Sequence, residues 1–203
     1  MKNELTSETE ARIIKAATKV FVKKGRAGTS MQDIADEARI NRTLLNYYFR
    51  SKDKLFNLVF EDAFMRFIPE IVRVLQSDLP LENKFIRFID HYSNVLRDNP
   101  LIPAFILHEL NTNPERLVEN IKSRGAEPEI ILAQIRQEME QGHIRKTDPR
   151  QLMVNLLSLL IFPFAAKPVL KGMFLKDDEQ EYIRFLDERK EFLKEYFINS
   201  IKI

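Results

Sequence analysis

The chain has 203 residues, 44% hydrophobic and 31% charged, a balance that fits globular domains and excludes disordered or fibrous classes. It contains no cysteine, which rules out a disulfide framework and a thiolate metal site and fits a cytoplasmic setting. The formal net charge of +2 is unevenly placed: residues 1–54 hold 12 Lys and Arg against 7 Asp and Glu, giving +5, while the remainder is mildly acidic at −3. An electropositive N-terminal segment favours a polyanionic partner at that end, because phosphate neutralisation by Lys and Arg supplies much of nucleic-acid affinity.

The start, Met1-Lys2-Asn3-Glu4, is polar, so no secretory leader is expected. From there, apolar residues recur every three or four positions in segment after segment, and only 5 glycines occur, so the expectation is an all-α protein. Ser7 to Lys24 predicts the first helix, with Ser7 and Glu10 as a capping box, an apolar stripe at Ile13, Ile14, Ala17, Val20 and Phe21, and Gly25 as its stop. A second helix is predicted from Thr29 or Ser30, where a hydroxyl caps free amides, to about Glu37. A third runs from the cap Asn41 to about Phe49.

From Lys52 onward the helices lengthen and prolines mark their borders or kinks. Helices are predicted near 52–76, 81–98, 100–111, 114–123, 127–141, 148–166 and 178–200. Leu152 to Ala166, the most apolar stretch, has fifteen residues. That is short of the roughly 20 that span a bilayer, so a buried helix and no membrane partner are expected. The division expected is 1–51 for the first three helices and 52–203 for the helical body.

The segment Thr29 to Phe49 is the most informative. Two helices joined by a tight turn cross steeply and need a small residue at their contact, which Ala35 supplies. Ile34, Ala38, Ile40, Leu45 and Tyr48 fall where that crossing wants apolar contacts. Arg42, Thr43 and Asn46 are then left on the outer face of the third helix, where Arg can bond guanine and Asn can bond adenine in a major groove.

This stretch resembles the helix-turn-helix of tetracycline-repressor-type (TetR family) regulators. The residues that carry the likeness are Thr29, Ser30, Ile34, Ala35, Tyr47, Tyr48, Phe49, Ser51, Lys52, Leu55 and Phe56. The resemblance covers about residues 7–60 and implies an N-terminal three-helix DNA-binding domain followed by a C-terminal helical ligand-binding and dimerisation domain. It implies Arg42, Thr43 and Asn46 as base-reading positions, and Thr29, Ser30, Tyr47, Tyr48 and Lys52 as phosphate contacts. Three positions depart from the family pattern: Arg39 stands where Gly is usual, which points to positive φ at a side-chain-bearing residue, Asn46 replaces an aromatic, and Leu44 replaces a small hydroxyl residue.

By the same resemblance the partners are double-stranded operator DNA, a second copy of the chain and a small-molecule effector, apolar or aromatic in view of 15 Phe. The dimer seam is expected on the last two long helices, with Leu152, Leu156, Leu159 and Leu160 on one and Ile183, Leu186, Leu193, Phe197 and Ile201 on the other. Effector lining is expected from Phe88, Tyr92, Phe105, His108, Phe162 and Phe164, with Asn111 and Asn155 as polar anchors. His91, His108 and His143 show no metal-ligand spacing, and no phosphate loop or nucleophile elbow occurs, so no metal, cofactor or catalysis is expected. The competing reading is a helical interaction module that binds a protein or an anionic surface without sequence preference.

Overall fold

The computed structural model describes the backbone of residues 2–99 and 101–203, with side chains described except at 1–7, 60–63, 65, 66, 100, 101, 104, 105 and 108. The described residues form helices and no strand, in two compact units, Met1–Arg66 and Phe67–Ile203. The first unit holds α1 (Lys2–Gly28), α2 (Met31–Glu37), α3 (Arg42–Tyr48) and the opening turns of α4 (Lys52–Leu75).

Its buried core includes Ile13, Ala17 and Phe21 of α1, Ile34 and Ala35 of α2, Leu45 of α3, and Leu55 and Phe56 of α4. The rings of Phe21 and Phe56 meet edge-on at 4.9 Å, the geometry that aromatic quadrupoles favour. α1 begins at Lys2, before the start predicted at Ser7, because Lys2, Glu4 and Leu5 are good helix formers. Ser7 lies inside the helix, and the expected Ser7–Glu10 capping box rests on a side chain outside the described residues. The break at Gly25 is present, with φ 68 and ψ 171, a conformation that costs glycine little.

The second unit comprises the end of α4 with α5 (Leu81–Asp98), α6 (Leu101–Thr112), α7 (Pro114–Lys122), α8 (Pro128–Glu140), α9 (Pro149–Ala165), α10 (Lys167–Phe174) and α11 (Glu179–Ile201). α9 packs against α5, α6, α8, α10 and α11, and α11 also lies along α5. Phe85, Phe88, Ile89 and Leu96 of α5 join Leu152, Leu156 and Leu160 of α9 and Leu193, Phe197 and Ile201 of α11 in the core. α10 was not expected. Pro168 ends one helix but also opens the next, since a proline in the first turn lacks only an N–H that has no intrahelical partner there; the two axes bend by 72°. Among the described residues, no single helix is long and apolar enough to cross a membrane.

Two polar devices fix this unit. Lys84 is buried, and its ammonium donates to the carbonyl of Leu75 at 3.0 Å and to Gln134 Oε1, while Gln134 Nε2 donates to the Leu79 carbonyl at 3.1 Å. Burial pushes the Lys84 pKa down, so the two acceptors are what hold the charge inside. Arg145 closes the end of α11: its backbone N–H donates to the Ile201 carbonyl and its Nε to that of Lys202, each at 2.9 Å.

Candidate nucleic-acid interface

Each short helix of the first unit starts on a side-chain cap, which makes a seven-residue helix tenable. Ser30 Oγ accepts from the backbone N–H of Asp33 at 3.1 Å, and Asp33 Oδ2 accepts from the Ser30 N–H at 2.9 Å, a reciprocal capping box. Lys24 Nζ donates to Asp33 at 2.6 Å, and this bond, with those from Ser30, holds the Asp33 carboxyl far below its ordinary pKa. Asn41 Oδ1 accepts from Leu44 N–H at 2.7 Å and starts α3. A second ion pair, Lys19 to Glu37 at 2.6 Å, ties the other end of α2 to α1.

The turn between α2 and α3 is a Schellman closure. The N–H of Ile40 donates to the Ala35 carbonyl at 3.0 Å and that of Arg39 to Asp36 at 3.1 Å, with Arg39 at φ 54. The positive φ expected from the departure at this position is present. Arg39→Gly should raise stability by about 0.5–1 kcal/mol, the relief of left-handed strain less the added freedom of an unfolded glycine. A denaturant midpoint that falls instead would show that the arginine side chain holds the turn.

This turn aims α3. Leu45 is fully buried against α2, Ile40 and Tyr48 are half-buried, and Arg42, Thr43, Leu44, Asn46 and Tyr47 are exposed. The three expected base readers therefore lie on the outer side of one helix, and among the described residues neither Arg42 nor Lys52 is paired with an acid. Tyr47 is 79% exposed and meets Tyr48 edge-on at 5.5 Å. Half-buried Lys52 opens α4, whose first turn is capped by Ser51 Oγ accepting from Lys54 N–H at 3.2 Å.

The five phosphate candidates are not alike. Thr29 is 3% exposed and its hydroxyl donates to the Gly25 carbonyl at 2.7 Å, so its side chain faces inward and latches the break in α1. The Ser30 hydroxyl donates to Asp33 Oδ2 at 2.7 Å, so it meets an anion only by giving up that bond.

In the second unit, Phe88 and Tyr92 are buried and stacked at 5.4 Å, and Phe67 joins Tyr92 at 5.1 Å. Asn111, Asn155 and Phe162 are exposed, and the Asn111 amide donates to the Leu107 carbonyl, so the expected lining residues are not gathered at one place. Phe105 and His108 fall outside the residues whose side chains are described. Phe164 lines a narrow cleft with Arg97, Asp187 and Arg189. Among the described residues, the buried His91 Nε2 and Glu109 Oε1 have no hydrogen-bond partner, which sequence reading missed. The Leu152, Leu156, Leu160 and the Leu193, Phe197, Ile201 stripes expected at a dimer seam fill the core of this unit. The apolar residues left exposed are Val154, Leu157 and Phe162 on α9 and Ile183, Phe192 and Tyr196 on α11.

A short helix capped by Ser30, a Schellman turn and a second short helix with a polar outer face define a helix-turn-helix protein with an all-helical body. Residues 13–59 match the family model of bacterial regulatory proteins of the tetR family, and this segment is a tetR-family helix-turn-helix domain. The chain is 33% identical over 119 residues to the transcriptional repressor Rv3405c of Mycobacterium tuberculosis, covering 58% of this chain and 61% of that one. It thus spans about three fifths of the length of that relative. Among solved structures, a HlyIIR mutant superposes with a TM-score of 0.63 at 23% identity, over 97% of this chain and 98% of that one. A TetR/AcrR-family regulator from Thermobifida fusca superposes with a TM-score of 0.61 at 19% identity, over 92% and 97%. At such identities these two likenesses speak for the fold.

Proposed function

We propose that the protein is a sequence-specific DNA-binding transcriptional regulator, a homodimeric repressor that a small-molecule effector releases from its operator in the bacterial cytoplasm. The observation that carries this reading is the outer face of α3, where Arg42, Thr43 and Asn46 stand exposed on a helix anchored by Leu45. Arg42 and Asn46 read base edges with Thr43 between them, and Tyr47, Tyr48 and Lys52 hold phosphates. Ser30 assists where its capping bond yields, and Thr29 contributes through its backbone and its latch on Gly25.

One seven-residue helix reads too few base pairs, and two-fold pairing sets two such helices in successive major grooves, about 34–36 Å apart. The second copy covers Val154, Leu157, Phe162, Ile183, Phe192 and Tyr196, a set of large apolar side chains that water otherwise meets. The effector enters the second unit around the stacked Phe88 and Tyr92, and His91 Nε2 and Glu109 Oε1, buried without a partner among the described residues, are its candidate polar anchors. It lowers DNA affinity to the extent that it favours the non-binding conformation, and no catalytic step is involved.

A mobility assay on the chain's own upstream DNA, with competitor DNA present, tests this reading. Retardation that any competitor abolishes equally would replace it with generic polyanion binding. Arg42→Ala and Asn46→Ala should each relax sequence preference at about 1–3 kcal/mol per lost base contact. Lys52→Ala should weaken all sequences alike and flatten the salt slope by about one unit.

A further inference from the structure

The polar face assigned to base reading has a second, apolar edge. On α3, Arg42 and Asn46 are four residues apart and share one side of the exposed surface; Thr43 and Tyr47 occupy its centre; Leu44, two positions from both Arg42 and Asn46, lies on the opposite side. Leu44 is 37% exposed although its neighbour Leu45 is fully buried. Its backbone N–H is held by the Asn41 cap at 2.7 Å, so the residue sits in the well-ordered first turn of the helix. A large apolar side chain is thus kept partly in water there, outside the buried core.

In a major groove the base edges present nitrogen and oxygen donors and acceptors with one apolar exception, the C5-methyl group of thymine. Resting on the DNA-reading role proposed above, we infer that Leu44 reads a thymine methyl, so that each half-site carries a thymine displaced along the groove from the purines that Arg42 and Asn46 bond. The +5 charge of residues 1–54 supplies attraction to any duplex; the Leu44 edge adds discrimination that no phosphate contact provides.

The test selects bound sequences from a random duplex library with wild-type protein and with Leu44→Ala, whose exposed site leaves folding intact by circular dichroism. Each thymine of the selected operator is then replaced by deoxyuridine, which removes the methyl group and nothing else. One thymine per half-site should, on replacement, weaken wild-type binding about fourfold, the transfer free energy of one buried methyl, and about sixteenfold when both half-sites are changed. Leu44→Ala should bind the thymine and deoxyuridine operators equally. Deoxyuridine without effect at every position, or equal losses for both proteins, overturns the inference while leaving the operator reading in place. A wild-type selection that yields no preferred sequence removes both.

Discussion

Phe21→Ala is expected to destabilise the protein by about 3–5 kcal/mol, the range for emptying an aromatic site in a packed core. Phe21 is fully buried and meets Phe56 edge-on, so the cavity would open between α1 and α4 in the core of the first unit. The helices that hold α3 in place would loosen first. Denaturant unfolding should show the loss, and sequence-specific DNA retention should disappear with it. The control is Arg42→Ala, which removes an exposed side chain: its unfolding midpoint should match the parent while its base preference changes. Should Phe21→Ala keep both its stability and its operator, the three-helix core is not what orients the reading face.

The double replacement Phe192→Asp with Tyr196→Asp is expected to convert the proposed dimer into a monomer of unchanged helicity. The two rings stack at 5.5 Å on the outer side of α11 and are 57% and 51% exposed. One face of α11 thus carries two aromatic rings that the rest of the chain does not cover. Facing carboxylates in a closed seam would meet their symmetry mates and lose solvation together. Operator affinity should drop toward the non-specific level, at least about 10³-fold, because one reading head alone cannot supply the specific increment. Sedimentation equilibrium gives the mass, and the mobility assay gives the affinity. A variant that stays dimeric and keeps its operator places the seam elsewhere.

The contrast between these aromatics and their neighbours shows where sequence reading ends. Periodicity marked α11 as amphipathic and chose Ile183, Leu186, Leu193, Phe197 and Ile201, of which Ile183 is exposed and the core takes Leu193, Phe197 and Ile201. Those residues face α5 and α9 within the same chain, and the exposed pair is offset from them by one residue. A 3.6-residue repeat identifies an apolar side but not which neighbour covers it, and a helix packed on both sides carries two such stripes. The helix starts at Ser30 and Asn41 were legible because a cap acts through bonds to residues three positions away, as was Arg39, whose turn is a local backbone event. The direction of the Thr29 hydroxyl was not legible: it points back four residues to Gly25 and not forward. Pro168 was read as a border or kink with no helix assigned between 166 and 178, which concealed α10. The effector lining came from aromatic composition, which carries no geometry, and so it mixed core rings such as Phe88 with surface residues such as Asn155.

Lys84 gives the second unit a particular mechanical character. Its one ammonium joins the last turn of α4 to α8, and Gln134 returns a bond to the connecting loop at Leu79. If α8 slid away from α5, the cation would lose an acceptor while still enclosed, an unfavourable half-way state. The joint therefore penalises separation of α8 from α5 for as long as the ammonium stays enclosed.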